Sequence, residues 1–108
     1  MRNANIKKQD SLDVLITALC RDFPRRARAI SEGMSKKRTL TEFRYLNFKI
    51  FEAAVGVVDE NLVMLYIKEI GENIGYAKSE IPGLSEIAYK SYKKLIKEEI
   101  AKKLHLAD

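Results

Sequence analysis

The sequence has few of the residues from which most catalytic and metal sites are built. It contains one histidine, His105, and one cysteine, Cys20, among 108 residues. A histidine-based catalytic pair and a zinc site both need several such groups on a firm scaffold, and His105 lies three residues from the C-terminus. Cys20 continues the apolar stripe of the first predicted helix, which is typical of a buried structural cysteine. We therefore expect no enzyme activity, no metal, no cofactor and no small-molecule ligand.

The sequence also lacks a long apolar run. The run at 62–67, LVMLYI, has six residues, whereas a membrane-spanning helix needs about 20. The N-terminal segment MRNANIKKQD has no apolar region of the kind found in signal peptides. A lone cysteine excludes an internal disulfide and fits a reducing compartment. We predict a cytoplasmic protein with no membrane partner.

The positive charge is concentrated in one segment. Between Arg21 and Arg38 there are seven basic and two acidic residues, which accounts for the whole formal charge of +5. The remaining 13 basic and 13 acidic residues (20 − 7 and 15 − 2) cancel. Such a segment suits phosphate groups, and it also keeps a small domain in solution.

Apolar residues at three- and four-residue steps predict an all-α fold, a single domain over 1–108 with about five helices and residues 1–9 disordered. The predicted boundaries rest on local signals. These signals are an N-cap at Asp10 or Ser11, Pro24 after Asp22, a Gly33 cap, a Thr39–Glu42 capping box, a turn at 59–61, a helix end near 73–75 and a Ser85 cap.

The third predicted helix, Thr39–Val58, is apolar over more than half of its circumference. We expect it to be the central element of the bundle, in contact with helices on two sides. The other helices are short, so part of this apolar surface would remain exposed and suit self-association. A homodimer is therefore expected whichever function is right.

The last predicted helix, Ser85–Leu104, has four lysines at positions i, i+3, i+4 and i+7: Lys90, Lys93, Lys94 and Lys97. In one interpretation these lysines contact DNA phosphates, while Ser85, Glu86 and Tyr89 approach base edges. In the other, they form the solvated side of an ordinary helix. The arginines at 25–28 allow the same two interpretations. Arg25, Arg26 and Arg28, with Lys36, Lys37 and Arg38, bind phosphate, or they pair with nearby acids and solvent.

A resemblance covers about 40 residues, Tyr66–Leu104. Glu-Ile-Gly at 69–71, Ile-Gly-Tyr at 74–76, and a Ser85-initiated helix with tyrosines and lysines make this part similar to the C-terminal helix-turn-helix region of ArpU- and RinA-like regulators from phages and prophages of Gram-positive bacteria. These in turn resemble region 4 of sigma factors. The resemblance implies that the Ser85 helix enters the major groove. The connection departs from the pattern, because nine residues separate Gly75 from Ser85 where a typical turn has three or four.

Two functional hypotheses follow. The first is a DNA-binding transcriptional regulator of phage or prophage origin that uses the lysine-faced helix and the basic segment. The alternative is a non-enzymatic interaction module or assembly adaptor, a helical homo-oligomer whose lysines only face solvent. The first hypothesis requires the lysine face and the arginine block to be coplanar and unobstructed, and the second requires an exposed apolar groove instead.

Overall fold

The computed structural model describes residues 4–106, which form five α-helices, one short 3-10 helix and no strand. The predicted all-α, single-domain fold is confirmed. The α-helices are α1 (Ala4–Arg21), α2 (Phe23–Glu32), α3 (Lys37–Val55), α4 (Glu60–Gly71) and α5 (Glu86–Lys103), and the 3-10 helix is Tyr76–Lys78. Within 4–106, none of these helices combines the length and the hydrophobicity that a membrane crossing requires.

Several helix ends lie where local sequence signals predict them. Pro24 occupies the first turn of α2, and Gly33 ends this helix in the left-handed conformation at φ 64°. Glycine adopts that conformation without the steric cost that a Cβ imposes. Ser85 is the N-cap of α5, where its Oγ accepts a hydrogen bond from the Ala88 N–H at 3.2 Å. These boundaries depend on neighbouring residues alone, which is why the sequence reveals them.

Other boundaries differ from the predictions. Helix α1 begins at Ala4, so the backbone of 4–9 is helical rather than disordered, and Asp10 and Ser11 are internal residues; residues 1–3 lie outside the described part. Helix α3 begins at Lys37 after Lys36, which provides no side-chain cap, so the predicted Thr39–Glu42 capping box is wrong.

Helix α3 also ends at Val55, three residues before the predicted end. Val57 and Val58 form a turn in which both backbone N–H groups bond to Ala54 O at 3.0 Å. Both valines remain half-buried. The apolar pattern therefore continues beyond the helix itself, and periodicity alone places the end too late.

Helix α3 is the central element, as predicted, because it packs against α2, α4 and α5. Helix α1 packs against α4, α5 and the start of α2. The molecule measures 41 × 39 × 21 Å, and its short dimension corresponds to about two layers of helices, each about 10–12 Å in diameter. The core between the layers contains side chains from every α-helix, among them Ile16, Phe23, Ile50, Ile67, Ile70, Ile96 and Ile100.

Helices α1 and α4 approach each other closely at Gly71. A Cβ built on Gly71 would lie 2.6 Å from Arg21 N and 2.8 Å from Cys20 C, which is closer than real Cβ atoms come to backbone. Arg21 Nε donates to Gly71 O at 3.2 Å. Only glycine fits this crossing, which places the C-terminal ends of α1 and α4 side by side.

Candidate nucleic-acid interface

The predicted lysine face of α5 is not a single solvent-facing surface. Tyr89, Ile96 and Ile100 are each at most 1% exposed, so they define the buried side of this helix. The side opposite to them contains exposed residues at helical spacing, namely Ile87, Lys90, Ser91, Lys94, Leu95 and Glu98. The helix is therefore rotated relative to the prediction, which placed Tyr89 near base edges. That assignment is wrong, because Tyr89 is inside the protein.

Tyr89 is held inside by a buried carboxylate on α4. Glu69 is 1% exposed, and its Oε1 accepts hydrogen bonds from the Tyr89 hydroxyl and the Ser79 hydroxyl, each at 2.7 Å. Its Oε2 accepts from the Glu80 N–H, also at 2.7 Å. This cluster ties α4, the 72–85 connection and α5 together. No local pattern in the sequence indicates it, because its members are up to 20 residues apart.

The protonation of this cluster follows from its hydrogen bonds. Burial opposes ionisation of Glu69, but the bonds from the Glu80 N–H, Ser79 and Tyr89 favour the carboxylate, so the pKa of Glu69 is lowered. Burial first, and then the bond to Glu69, raises the pKa of Tyr89 to about 12. The cluster thus contains a charged acceptor surrounded by donors, an arrangement that stabilises structure.

Lys93 also has a structural partner. Its Nζ donates to Ile74 O at 2.6 Å and lies 4.9 Å from the centroid of the Tyr89 ring. Burial, followed by the neighbouring charge of Lys97, lowers the pKa of Lys93. A cation that bonds a carbonyl just beyond the C-terminal end of α4 offsets the negative end of that helix dipole. Lys93 therefore stabilises the connection between α4 and α5, and its ammonium group is not free to contact a phosphate.

The other three predicted lysine contacts differ in their surroundings. Lys97 Nζ lies 2.9 Å from Asp13 Oδ1 and joins α5 to α1. Lys90 pairs with Glu86 at 2.7 Å, with both side chains more than half exposed. Lys94 is exposed. Only Lys90 and Lys94 of the four lysines project into solvent, beside the exposed Ser85 and Glu86.

Arg26 is another correction to the predicted phosphate contacts. It is 3% exposed, and its Nε donates to Asn47 Oδ1 at 2.7 Å while its NH2 donates to Leu19 O at 2.5 Å. Burial lowers the pKa of Arg26. Asn47 in turn donates to Phe23 O at 3.2 Å. Arg26 therefore connects α2 to α1 and α3 by hydrogen bonds, and it is not available to a nucleic acid.

The remaining basic residues of this segment are exposed. We call five of them the basic cluster: Arg25, Arg28, Lys36, Lys37 and Arg38. Their links to acids are weak, since Arg25 meets Asp22 at 3.4 Å and Arg38 meets Glu42 at 3.9 Å with the Arg38 side chain 94% exposed. Exposed pairs of this kind contribute at most about 1 kcal/mol. The cluster therefore presents nearly its full charge to solvent.

The position of these cations along α3 is electrostatically unfavourable for the free protein. Lys36 is the N-cap of α3, Lys37 and Arg38 begin its first turn, and no acidic residue lies in that turn. The N-terminal end of a helix has a partial positive charge, so cations are disfavoured there. The helix dipole and the basic side chains thus both contribute to a positive potential at the corner between α2 and α3.

Helix α5 contacts α3 near the opposite end. Lys103 Nζ lies 3.7 Å from Glu52 Oε1, and Glu52 is 15 residues, or about 22 Å, along the helix from Lys37. The basic cluster is therefore built by α2, the 33–36 connection and the start of α3 alone.

Cys20 is buried at 1% exposure, as predicted. Burial raises its pKa to about 12, so the thiolate that a nucleophile or metal ligand requires is disfavoured. Among the described residues no cluster of three or more histidine, cysteine, aspartate or glutamate side chains is arranged to hold a metal ion.

The described residues form a compact all-α domain with an exposed basic corner. Comparisons of the chain with protein-family models, with curated proteins and with solved structures find no match.

Proposed function

We propose that this protein is a cytoplasmic, non-enzymatic DNA-binding regulator whose basic cluster contacts the phosphate backbone. The observation that supports this proposal is the exposure of all five cations of the cluster, within a segment that contains the whole net charge of the chain. The resemblance of 66–104 to ArpU- and RinA-like phage regulators points in the same direction. Lys90 and Lys94 on the outward side of α5 supply additional phosphate contacts.

The energetic source of binding is counterion release. Each phosphate that a cation neutralises contributes a slope of about −0.9 to the plot of log affinity against log salt. If all five cations of the basic cluster engage, the cluster contributes a slope of about −4.5. The unfavourable charge at the start of α3 is relieved when phosphate binds there, which adds to the preference for the complex.

The proposal is tested by fluorescence anisotropy of a labelled random-sequence duplex across a salt series. We expect affinity that falls steeply with salt, and loss of most of the slope when the five cations of the basic cluster are changed to alanine. The matched control is Lys78→Ala/Lys102→Ala, two exposed lysines outside the cluster, which leaves binding nearly unchanged. The absence of binding at low salt, or an equal loss of slope per charge removed in the two variants, refutes the proposal.

A second candidate, an interaction module without nucleic-acid binding, is favoured by one observation. Tyr45, Phe48 and Val55 on α3 are 47%, 62% and 43% exposed. Contiguous exposed apolar side chains are typical of surfaces that contact other proteins. The salt series separates the two candidates, because a protein-binding surface of this kind gives no salt-dependent binding of a duplex.

A further inference from the structure

Two aromatic side chains project into solvent from the outward side of α3. Tyr45 is 47% exposed and Phe48 is 62% exposed, and we call these two residues the aromatic pair. The opposite side of α3, with Ile50, Ala53 and Ala54, is buried in the core. The members of the pair are three residues apart, so they lie on the same side of the helix, about 4.5 Å from each other along its axis.

Cations lie beside the aromatic pair. Lys49 Nζ is 5.8 Å from the centroid of the Tyr45 ring and 5.9 Å from the centroid of the Phe48 ring. Arg44 is exposed and precedes Phe48 by four residues, which is about one helical turn. Arg38 of the basic cluster precedes Tyr45 by seven residues, or about two turns. Aromatic and cationic side chains therefore share one side of α3 over about 16 Å, from Arg38 to Lys49.

The acidic residues of α3 already have cationic partners. Glu52 Oε1 lies 3.7 Å from Lys49 Nζ and 3.7 Å from Lys103 Nζ, and Glu42 Oε1 lies 3.9 Å from Arg38 Nε. The whole helix has four basic and two acidic residues, a difference of +2. A second copy of this surface would bring cations against cations, whereas a polyanion is attracted to it.

Single-stranded nucleic acid has the chemistry that this surface fits. Its phosphates are anionic, and its unpaired bases have exposed π-faces that stack on aromatic side chains. The bases of a duplex are stacked on one another and do not offer those faces. Successive nucleotides of a strand are about 3.4 Å apart, which is close to the separation of the two rings. About four nucleotides would cover the roughly 15 Å between Phe48 and Arg38.

We propose that the aromatic pair and the basic cluster form one binding surface for single-stranded DNA. Bases stack on Tyr45 and Phe48, and phosphates pair with Arg38, Arg44 and Lys49. This inference rests on the proposed DNA-binding function and adds the form of DNA that the protein prefers. The basic cluster contacts the phosphates of either form, but only a single strand uses the rings. Because stacking does not depend on counterion release, the preference for the single strand should grow as salt is raised.

The first test is fluorescence anisotropy with a labelled oligothymidylate of about 12 nucleotides, alone and paired with its complement. We expect the single strand to bind more tightly than the duplex. Tyr45→Ala/Phe48→Ala should weaken single-strand binding at least about 10-fold, because each stacked base contributes about 5-fold or more, and should leave duplex binding nearly unchanged. The matched control is Met64→Ala, a 48% exposed apolar residue on α4, which should alter neither. Circular dichroism verifies that each variant is folded.

A second readout uses the absence of tryptophan from the chain. Phe48→Trp retains an aromatic ring at the proposed stacking position and introduces the only indole of the protein. Binding of the oligothymidylate should be retained in this variant, and its fluorescence should be quenched because a base stacks on the indole. Retained binding without any change in fluorescence would place the bases elsewhere and overturn the inference.

The other outcomes separate this inference from the proposed function. Equal affinities for single strand and duplex, or single-strand binding unchanged in Tyr45→Ala/Phe48→Ala, overturn the inference and leave the phosphate contacts of the basic cluster standing. The absence of binding to either form overturns both. Sedimentation equilibrium identifies a protein occupant: if the wild type self-associates, the variant does not, and both bind the single strand equally, the aromatic pair is a protein contact and the inference is wrong.

Discussion

Replacement of Glu69 by glutamine tests the buried cluster that fixes the position of α5. The carboxylate accepts three hydrogen bonds of 2.7 Å from Ser79, Glu80 N–H and Tyr89. Glutamine has nearly the same shape but only one acceptor oxygen. Its amide nitrogen would face either the Glu80 N–H or the two hydroxyl groups, and a donor would then oppose a donor.

The expected loss of stability is large. A hydrogen bond to a charged group contributes about 1.5–3 kcal/mol, and a buried donor without an acceptor costs about 1–3 kcal/mol. Loss of the bond at Oε2 and weakening of the two at Oε1 therefore lower the free energy of unfolding by about 3 kcal/mol. With an unfolding entropy of about 2.1 cal/mol/K per residue, the melting temperature of this 108-residue chain falls by about 13 °C.

The measurement is urea unfolding followed by circular dichroism at neutral pH, with Glu72→Gln, an exposed carboxylate just after α4, as the matched control. The lowered pKa of Glu69 adds a pH dependence. Its stabilisation is fully present above the unfolded pKa and is lost as the pH falls through the folded pKa. The difference between wild type and Glu69→Gln should therefore shrink in acid. A loss below about 0.5 kcal/mol at neutral pH, within the range of ordinary surface substitutions, refutes the role assigned to Glu69.

Three further substitutions test the fold by thermal unfolding. Gly71→Ala places a Cβ against the backbone of α1 and should cost at least about 1–3 kcal/mol, while Gly75→Ala, with open space around its Cβ, should be nearly neutral; equal effects contradict the close crossing. Arg26→Ala leaves the Asn47 carbonyl oxygen and Leu19 O without their donor and should cost about 3 kcal/mol, because a buried acceptor without a donor costs about 1–3 kcal/mol; a loss under about 1 kcal/mol argues against this structural role. Ser85→Ala removes the α5 cap and should cost about 1 kcal/mol; an unchanged melting temperature excludes that contribution.

The predictable parts of the fold depend on local chemistry. Pro24, Gly33 and Ser85 act through their own backbone preferences or through a bond three residues away, so they are visible in sequence. The central position of α3 follows from its wide apolar circumference, which needs neighbours on more than one side.

The errors at the candidate site arise from polar residues that have distant partners. In the sequence, Lys93 resembles a solvent-facing residue and Tyr89 a base-facing one. In the structure, Lys93 bonds to Ile74 O and Tyr89 bonds to Glu69, both partners from other parts of the chain. Arg26 looks like one of three equivalent arginines until Asn47, 21 residues later, accepts its Nε–H. A long polar side chain is buried only when a partner lies at the right place in space. Sequence spacing does not contain that information.

The claim that the basic cluster is the nucleic-acid surface is tested most directly by NMR titration of the 15N-labelled protein with a short duplex at low salt. We predict amide shift changes concentrated at residues 25–38 and smaller changes near Lys90 and Lys94. Changes confined to the surroundings of Tyr45, Phe48 and Val55 on α3, or an unaltered spectrum in the presence of excess duplex, would contradict the claim.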